Sequence, residues 1–434
     1  MTAIGMLANR LEAALGADVV IGDARTLSAY AVDGKTPHLR CLPHSAEQVA
    51  TVLGLCAEAG AAAIPWGGGT AMRLGNIPRQ ADVVVDLARL DRLVEHDDAN
   101  LTATAQAGMK VAVLQDLLGR RNQFLAIDPP SPSRATIGGT VAANTNGPRR
   151  MLYGGVRDLV IGMKMVLATG EQVKAGGKVV KNVAGYDMCK LFVGSLGTLG
   201  IITEVTWKMA PLPETAATIL AVGPLAQTLQ LAGEVFASPL LPAEMALLSS
   251  SVAEAFGRQG GHPALAVWAE GFEEAVARHL RDVRTMAERH GLSTEVLREE
   301  AHQQGWASVR DFGADPSRVV YRVTVPLASV PAVVTAVDQW TTSDRVARFL
   351  AHAGTGTVWV SLDADPSSRH WFPRLIGLAH EHGGHATMMA APPAVKEGID
   401  VWGPPPPSFA IMREIKQQFD PHGLLNPGRF VGGL

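Results

Sequence analysis

The pattern of apolar and polar residues changes along the chain, from short strands in the first part to longer helices in the second. Apolar residues recur at helical spacing in SAEQVATVLGLCAEA (45–59), where Ser45 and Gln48 form a capping box. Apolar and small polar residues alternate in LTATAQAG (101–108), as in a half-buried strand. The order strand, loop, strand, strand, helix differs from the strict βαβ repetition of a doubly wound sheet.

The second part of the chain alternates helical and strand-like segments. GFEEAVARHLRDVRTMAERHG (271–291) has helical spacing, whereas RVVYRVTVPL (318–327) and TVWVSLDA (357–364) have the composition of strands. This alternation predicts an α+β domain with an antiparallel sheet. Two prolines after the strand GIITEVTWKM (200–209) mark a boundary. The predicted units are residues 1–212, residues 213–390 and a C-terminal segment, 391–434, that returns to the first unit.

Composition and charge exclude several classes of protein. The chain has 434 residues, of which 47% are hydrophobic, so it is not disordered and is long enough for more than one domain. Its formal charge of −3 gives no reason to expect nucleic acid as a partner. Three cysteines without paired spacing argue against an iron–sulfur cluster and a disulfide framework. The sequence shows no membrane span, so we expect a cytoplasmic protein, or one held at the inner face of the membrane through partners.

Three glycine-rich loops lie within the first part of the chain. Gly67–Gly69 in IPWGGGTAMRLG lack the lysine of a P-loop and the spacing of a Rossmann fingerprint, which leaves a tight turn or a nest of amides for a diphosphate. Glycine-rich segments that could expose backbone amides also occur at TIGGT (136–140) and GSLGTLGIITE (194–204). Three such loops favour an extended ligand with phosphate groups. Because the sequence shows no arginine cluster, backbone amides are expected to neutralise the phosphates.

Several motifs together carry a resemblance to a known family. PWGGGT (65–70), TIGG (136–139), YGGVRD (153–158), KNVAGYD (181–187) and GTLGIITE (197–204) occur in the order seen in FAD-binding proteins of the vanillyl-alcohol oxidase and p-cresol methylhydroxylase type. Within that superfamily, GGHAT (383–387) and FDPHGLLNPGRF (419–430) resemble the FAD-binding E subunits of bacterial glycolate oxidases. The resemblance implies a two-subdomain FAD-binding domain of this type, an α+β cap domain and a C-terminal helical return.

The resemblance also implies the cofactor and its contacts. FAD is expected to be bound non-covalently, because the first loop has Trp66 and no histidine to which a flavin could be attached. The implied FAD-binding residues are Pro65, Trp66, Gly67, Gly68, Gly69, Thr70, Ala71, Pro129, Thr136, Gly138, Gly139, Ala142, Tyr153, Gly197, Gly200, Ile202 and Asn426. Lys178 and Lys181 could offset flavin or phosphate charge, but could equally be solvated lysines.

The metal site of related D-2-hydroxy-acid dehydrogenases is expected to be missing. Their motif G-H-x-G-D-G-N-x-H aligns with AHAGTGTVW (351–359), which keeps only the first histidine, His352. Their metal-binding glutamate and basic histidine align with Met389 and Ala390. HEHGGH (380–385) is not an H-E-x-x-H motif, and a helix end with solvated histidines is the simpler interpretation. We therefore predict no metal.

Three residues remain as catalytic candidates. Arg322 could bind a substrate carboxylate, although an ordinary surface arginine on a strand is the alternative. His352 could act on the substrate or be a hydrogen-bonded core histidine, and His385 is the third candidate. Without a metal site, the sequence shows no obvious acceptor for a hydroxyl proton.

Three functions follow from the resemblance. The first is a subunit of a complex that oxidises glycolate or a similar 2-hydroxy acid, where this chain assists or relays electrons between a catalytic sister flavin subunit and an iron–sulfur subunit. The second is a self-sufficient FAD-dependent dehydrogenase that oxidises a small 2-hydroxy acid with transfer of hydride to flavin N5. The third is a non-catalytic scaffold subunit that FAD stabilises.

Overall fold

The computed structural model of the protein describes residues 2–178, 186–257, 261–344 and 347–434. In chain order the strands are β1 Val20–Ile21, β2 Leu39–Cys41, β3 Ala63–Trp66, β4 Val83–Asp86, β5 Leu93–Asp97, β6 Thr102–Gln106, β7 Gln123–Phe124, β8 Val160–Val166, β9 Gln172–Gly176, β10 Ile201–Lys208, β11 Ala210–Pro211, β12 Thr215–Val222, β13 Glu244–Leu248, β14 Ala264–Gly271, β15 Ser293–Leu297, β16 Arg318–Thr324, β17 Arg348–His352, β18 Thr357–Asp363 and β19 His385–Ala390.

The helices connect these strands and cover their faces. In chain order they are α1 Ala3–Leu15, α2 Ala24–Ser28, α3 Ala46–Ala59, α4 Val111–Gly119, α5 Ile137–Ala143, α6 Arg150–Tyr153, α7 Val156–Leu159, α8 Cys189–Phe192, α9 Leu225–Ala237, α10 Ser250–Ala253, α11 Glu273–Arg289, α12 Glu299–Arg310, α13 Val330–Asp344, α14 Trp371–Glu381, α15 Pro393–Lys396 and α16 Phe409–Phe419. Within the described ranges, no helix is long and apolar enough to cross a membrane.

Two sheets form the first part of the molecule. In the order β1-β2-β4-β3, strands β2 and β3 run parallel to β4, while β1 is antiparallel to β2. The second sheet, β5-β6-β10-β8-β9, is antiparallel throughout. One hydrophobic core joins them, and its buried members lie between Leu7 and Met209, with Leu425 added from the C-terminal segment.

The local sequence determines the buried face and both ends of helix α3 in the first part of the molecule. Val49, Val52, Leu53 and Cys56 are its buried face, and Gly60 ends it with a left-handed φ of 63°. The Ser45 hydroxyl accepts from the Gln48 amide at 3.3 Å, as expected. The Gln48 side chain, however, accepts from the amide of His44 at 2.7 Å. The predicted capping box is therefore wrong in its second half, because the side chain reaches one residue further back.

The second part contains an eight-stranded antiparallel sheet, as the alternation of helices and strands predicted. Its order is β15-β12-β14-β13-β17-β18-β16-β19. Helices α9, α11, α13 and α14 pack against it, and its buried hydrophobic members lie between Ala217 and Val401. Strands β12 to β15, β17 and β19 were not predicted.

The C-terminal segment is tied to the first part by buried hydrogen bonds. The Lys416 ammonium on α16 donates to Asp420 at 2.6 Å and to the carbonyl of Thr198 at 2.8 Å. The chain then runs beside β3, where the amide of Asn426 donates to the carbonyl of Ala63 at 3.0 Å. This return brings residues near the end of the chain to the glycine loops.

Candidate functional site

The first glycine loop follows β3 and packs tightly against the loop before α5. A Cβ on Gly67 would lie 2.2 Å from the Thr136 hydroxyl, and one on Gly68 would lie 1.7 Å from the carbonyl of Arg134. Gly69 has φ +70°, which side chains rarely adopt. Gly67 and Gly68 are therefore required by contact between two loops of the protein itself, and Gly69 is required by its backbone conformation.

The second glycine loop forms helix α5 rather than a flexible linker. The Thr136 hydroxyl caps the helix by accepting from the amide of Gly139 at 3.3 Å, and Asn144 ends it with a left-handed φ of 48°. Gly138 fits closely, since a Cβ there would lie 2.6 Å from that of Ala107.

A pocket of about 80 Å³ lies where the glycine loops and the C-terminal segment meet. Most of the residues expected to bind FAD line it. These are Pro65, Trp66, Gly67, Gly68, Gly69, Thr70, Ala71, Gly138, Gly139, Ala142, Gly197, Gly200, Ile202 and Asn426. Thr136 stands behind the loops as the helix cap, while Pro129 and Tyr153 are not among the lining residues.

Two buried polar atoms at this pocket have no hydrogen-bond partner among the residues that the structure describes. The Asn426 side chain donates through Nδ2 to the carbonyl of Leu196, but its Oδ1 accepts nothing. The Arg429 guanidinium donates to the carbonyl of Met72 at 2.7 Å, yet its Nε is unpaired. Burial lowers the pKa of Arg429 to about 10. An unpaired acceptor and an unpaired donor fit a polar ligand such as FAD at this pocket. Arg429 was not predicted from the sequence.

A larger cavity of about 590 Å³ continues from this pocket, and both share Gly69, Thr70, Ala71 and Ala143. The larger cavity lies between the two parts of the molecule. Its described lining includes no aspartate or glutamate, but many cationic or titratable groups. These are Arg73, Arg134, Arg150, Arg310, Arg322, His352 and His385. The cavity therefore suits a small anion.

Five arginines line this larger cavity, whereas the expectation of no arginine cluster concerned the glycine loops, whose pocket includes Arg429. The five arginines come from loops, from α6, from the end of α12 and from β16, so their proximity is invisible in the linear sequence. Three of them form hydrogen bonds or an ion pair with other groups of the protein. Arg73 donates to the carbonyl of Arg318 at 2.6 Å, Arg134 donates to the carbonyl of Gly68 at 3.4 Å, and Arg310 pairs with Asp311 at 2.7 Å.

Arg322 and Arg150 differ from the other three. Among the described residues no carboxylate pairs with either guanidinium, and the Nε of Arg322 is buried without a hydrogen-bond partner. Burial and the nearby positive charge of Arg150 lower the pKa of Arg322 to about 10. The interpretation of Arg322 as an ordinary surface arginine is therefore wrong. An anion bound between the two side chains would relieve their mutual repulsion.

His352 lies at the end of β17 on the cavity wall, with a side chain that is 12% exposed and an Nδ1 that is buried. Its Nδ1 lies 3.3 Å from Oε1 of Glu244, a fully buried glutamate at the start of β13. Burial raises the pKa of Glu244, while His352 acts in the opposite direction. Sequence inspection missed Glu244, since EMALL gives no sign that its first residue faces a histidine.

His385 begins β19 and also lines the cavity. Burial and the charge of Arg322 lower its pKa. The positions aligned with the metal motifs lie around the same cavity as Thr355, Thr357, Trp359, Met389 and Ala390. In the part of the chain that the structure describes, no group of three His, Cys, Asp or Glu side chains could hold a metal ion.

The remaining candidates lie elsewhere or cannot be placed. Lys178 forms an ion pair with Glu95 on β5. Lys181 and the rest of KNVAG (181–185) lie outside the described residues. Tyr153 packs edge-on against Phe124, and burial with the charge of Glu270 raises its pKa. This position places Tyr153 in the contact between the two parts of the molecule.

Comparison with protein families and known proteins identifies the class of this site. A family model described as FAD binding domain matches residues 37–176, and one described as FAD linked oxidases, C-terminal domain, matches residues 404–430. Glycolate oxidase subunit GlcD of Bacillus subtilis is 30% identical over 428 residues, covering 89% of this chain and 87% of that protein. Glycolate oxidase subunit GlcE of Escherichia coli is 29% identical over 349 residues, covering 79% and 85%.

Comparison with solved structures supports the fold. Substrate-bound p-cresol methylhydroxylase aligns with a TM-score of 0.76 and 17% identity, covering 98% of this chain and 96% of that chain. The expected α+β fold with an FAD-binding domain of this type is therefore confirmed. The two family models and the relative from Bacillus subtilis confirm FAD as the cofactor. This chain belongs to the family of FAD-linked oxidoreductases that includes the glycolate oxidase subunits.

Proposed function

We propose that this chain oxidises glycolate or a similar small 2-hydroxy acid in the cavity beside its FAD site. It acts as a flavin subunit of a complex with a sister flavin subunit and an iron–sulfur subunit. The observation that carries the proposal is the pair Arg322 and Arg150, two cations that pair with no described carboxylate. Both line a cavity continuous with the glycine loops, and the Nε of Arg322 is unpaired. The names of two relatives, glycolate oxidase subunits GlcD and GlcE, support the substrate class and the complex.

Each part of the cavity has a role in this proposal. Arg322 binds the substrate carboxylate through its fork of donors, and Arg150 adds a second positive charge beside it. FAD, when bound, supplies a two-electron acceptor for the carbon that carries the hydroxyl group. His352 and His385 are the imidazoles on the wall that can exchange a proton with that hydroxyl.

A second candidate function is that of an assisting subunit, in which the sister flavin subunit oxidises the acid and this chain passes electrons towards the iron–sulfur subunit. One observation favours it. The cavity positions that align with the metal ligands of related dehydrogenases are Thr355, Thr357, Trp359, Met389 and Ala390, none of which binds a divalent metal well. We infer the first function because the cavity offers an anion site and an imidazole without a metal.

Anaerobic mixing with substrate distinguishes the two functions. The chain alone, loaded with FAD, is mixed with glycolate or D-lactate, and the flavin absorbance is followed. The proposal predicts rapid bleaching by at least one of the two acids. No bleaching in the isolated chain, together with turnover once the sister subunits are added, would establish the assisting role. A chain that holds FAD but supports neither reaction is a scaffold.

A further inference from the structure

The carboxylate of Glu244 lies directly behind His352. Glu244 is fully buried, and its Oε1 accepts from the amide of Met245 at 2.9 Å. The same oxygen lies 3.3 Å from Nδ1 of His352, which is an ion-pair distance without hydrogen-bond geometry. Among the described residues, neither this Nδ1 nor Oε2 of Glu244 has a hydrogen-bond partner. A buried carboxylate with so few partners costs stability unless a nearby charge or donor offsets its desolvation.

The geometry distinguishes the two nitrogens of His352. Nδ1 faces Glu244, so Nε2 is the nitrogen left for the cavity that the ring lines. A carboxylate that accepts from Nδ1–H selects this tautomer and stabilises the imidazolium formed when Nε2 takes a proton. The pair has the arrangement of a base and the group that orients it.

We propose that Glu244 is a positioning residue that holds His352 with Nδ1 protonated, so that Nε2 takes the proton of the substrate hydroxyl. In this step the O–H bond breaks, an N–H bond forms at Nε2, and the electron pair of the broken bond stays on the oxygen. The inference rests on the proposed oxidation of a 2-hydroxy acid in this cavity, and it supplies the proton acceptor that the sequence did not reveal.

The charges around His352 show why a carboxylate is needed behind it. Arg150 from α6, Arg322 from β16 and His385 from β19 line the same cavity. These positive or titratable groups oppose a further positive charge on His352. Glu244 is the carboxylate that lies behind the imidazole and offsets them.

The tautomer is tested first, on the full FAD-loaded chain labelled with ¹⁵N-histidine. His352→Asn assigns the His352 signals by their loss. We expect Nδ1–H in the wild type and a shift of the proton towards Nε2 in Glu244→Met, which removes the acceptor at similar volume. An unchanged tautomer in Glu244→Met would overturn the proposal. This readout does not depend on turnover.

The proton acceptor is tested by the rate of flavin reduction across pH. In Glu244→Gln the uncharged amide no longer stabilises an imidazolium, so we expect the rate to fall on the order of 10²-fold. The acidic limb of the pH profile should vanish in His352→Asn. The dissociation constant of oxalate should stay nearly unchanged, because Arg322 and Arg150 remain. Equal rates in the wild type and Glu244→Gln would contradict the proposal.

Glu295→Gln is the matched control, since Glu295 is a half-buried glutamate on β15 of the same sheet that does not line the cavity. We expect it to leave the His352 tautomer and the pH profile unchanged. FAD content and cooperative unfolding are measured for every variant, and Glu244→Leu, which also removes the acceptor, replaces Glu244→Met if Glu244→Met fails to fold. Absence of bleaching by any 2-hydroxy acid in the wild type would defeat the proposed function itself. Bleaching with an unchanged tautomer in Glu244→Met would defeat this inference alone.

Discussion

At the residue scale, two arginines on β16 have opposite surroundings. Arg318 donates to the hydroxyl of Ser361 at 2.7 Å and pairs with Asp363 at 2.6 Å, so its charge is used within the protein. Arg322, four residues later, faces the cavity with an unpaired Nε. The same residue type therefore has a structural role at one position and is available to a ligand at the other.

The substitution Arg322→Gln should weaken binding of small carboxylates. Loss of a charged hydrogen-bond donor costs about 1.5–3 kcal/mol, so we expect the dissociation constant of oxalate to rise roughly 10- to 100-fold. Titration of the flavin absorbance measures it. Arg348→Gln is the control, because Arg348 is exposed on β17 and does not line the cavity. Equal weakening by both substitutions would show that only net charge matters.

Two glycines of the FAD site should respond differently to the same substitution. Gly68→Asp places a Cβ 1.7 Å from a backbone carbonyl, so the loops cannot pack and folding should suffer. At Gly139 the one close neighbour of a Cβ is the Thr136 hydroxyl at 3.0 Å. We expect Gly139→Asp to fold but to lose FAD, because its carboxylate would repel the cofactor phosphates.

Circular dichroism measures folding of the two glycine variants, and flavin absorbance after gel filtration measures FAD retention. Gly377→Asp is the control, because a Cβ there meets open space on α14. Full FAD retention in Gly139→Asp would show that the phosphates lie away from α5. Normal folding of Gly68→Asp would show that the two loops separate easily.

At the scale of elements, the sequence predicted those whose residue pattern has a clear period. Helix α3 has one apolar face, and strand β6 alternates apolar and small polar residues even though all five of its residues are buried. Strand β14, ALAVWAEG, is buried on both faces because helices cover one side of its sheet and α12 the other. The sequence of such a short apolar run has no periodicity that would distinguish a strand from a helix.

Only the part of the candidate site that is formed by residues close together in the sequence was predicted. The glycine loops lie together in sequence, so most of their lining residues could be expected from the resemblance. The group of arginines that lines the larger cavity could not be predicted, since Arg73, Arg150 and Arg322 meet only after two sheets have packed together. Glu244 is equally hidden, because its partner His352 lies on another strand of the sheet.

Helix α12 packs on the large sheet through a buried histidine, which should make stability depend on pH. His302 is 6% exposed, and its Nδ1 lies 2.8 Å from the Thr218 hydroxyl, which in turn accepts from Trp306 at 2.7 Å. Burial, with the charge of Arg149, lowers the pKa of His302 to about 4. The folded state therefore holds this histidine neutral where the unfolded state binds a proton.

The sign of this effect follows from proton linkage. Between about pH 6.5 and pH 4 the unfolded chain binds more protons at His302 than the folded chain, so stability falls as pH falls. We expect a loss of about 2 kcal/mol between pH 7.5 and pH 5 from this residue. Urea unfolding at both pH values measures it, and His302→Gln should reduce the difference. An identical difference in the variant would contradict the buried neutral state.

At the scale of the whole molecule, Arg149 links the two parts. It precedes α6, pairs with Asp128 at 3.1 Å, and reaches Glu270 on β14 at 3.2 Å. Its guanidinium also lies over the Phe124 ring at 5.0 Å and over the Trp268 ring at 4.5 Å. This contact holds the segment after the second glycine loop against the large sheet.

The substitution Arg149→Met should destabilise the protein strongly. It leaves Glu270, which is 8% exposed, as a buried carboxylate without its cation, and such losses cost about 3–5 kcal/mol. Chemical unfolding measures the change. Arg278→Met removes an exposed i, i+4 pair with Asp282 and should cost about 1 kcal/mol or less. Equal effects of the two substitutions would mean that Arg149 does not join the two parts.

The contact of Arg429 with the first glycine loop has a consequence for biosynthesis. The carbonyl of Met72 accepts from a guanidinium that lies 357 positions later in the chain, and Asn426 comes from the same final segment. A ribosome therefore adds a further 357 residues after Met72 before Arg429 can close this side of the pocket. A nascent chain that has not yet reached Arg429 exposes an incomplete site.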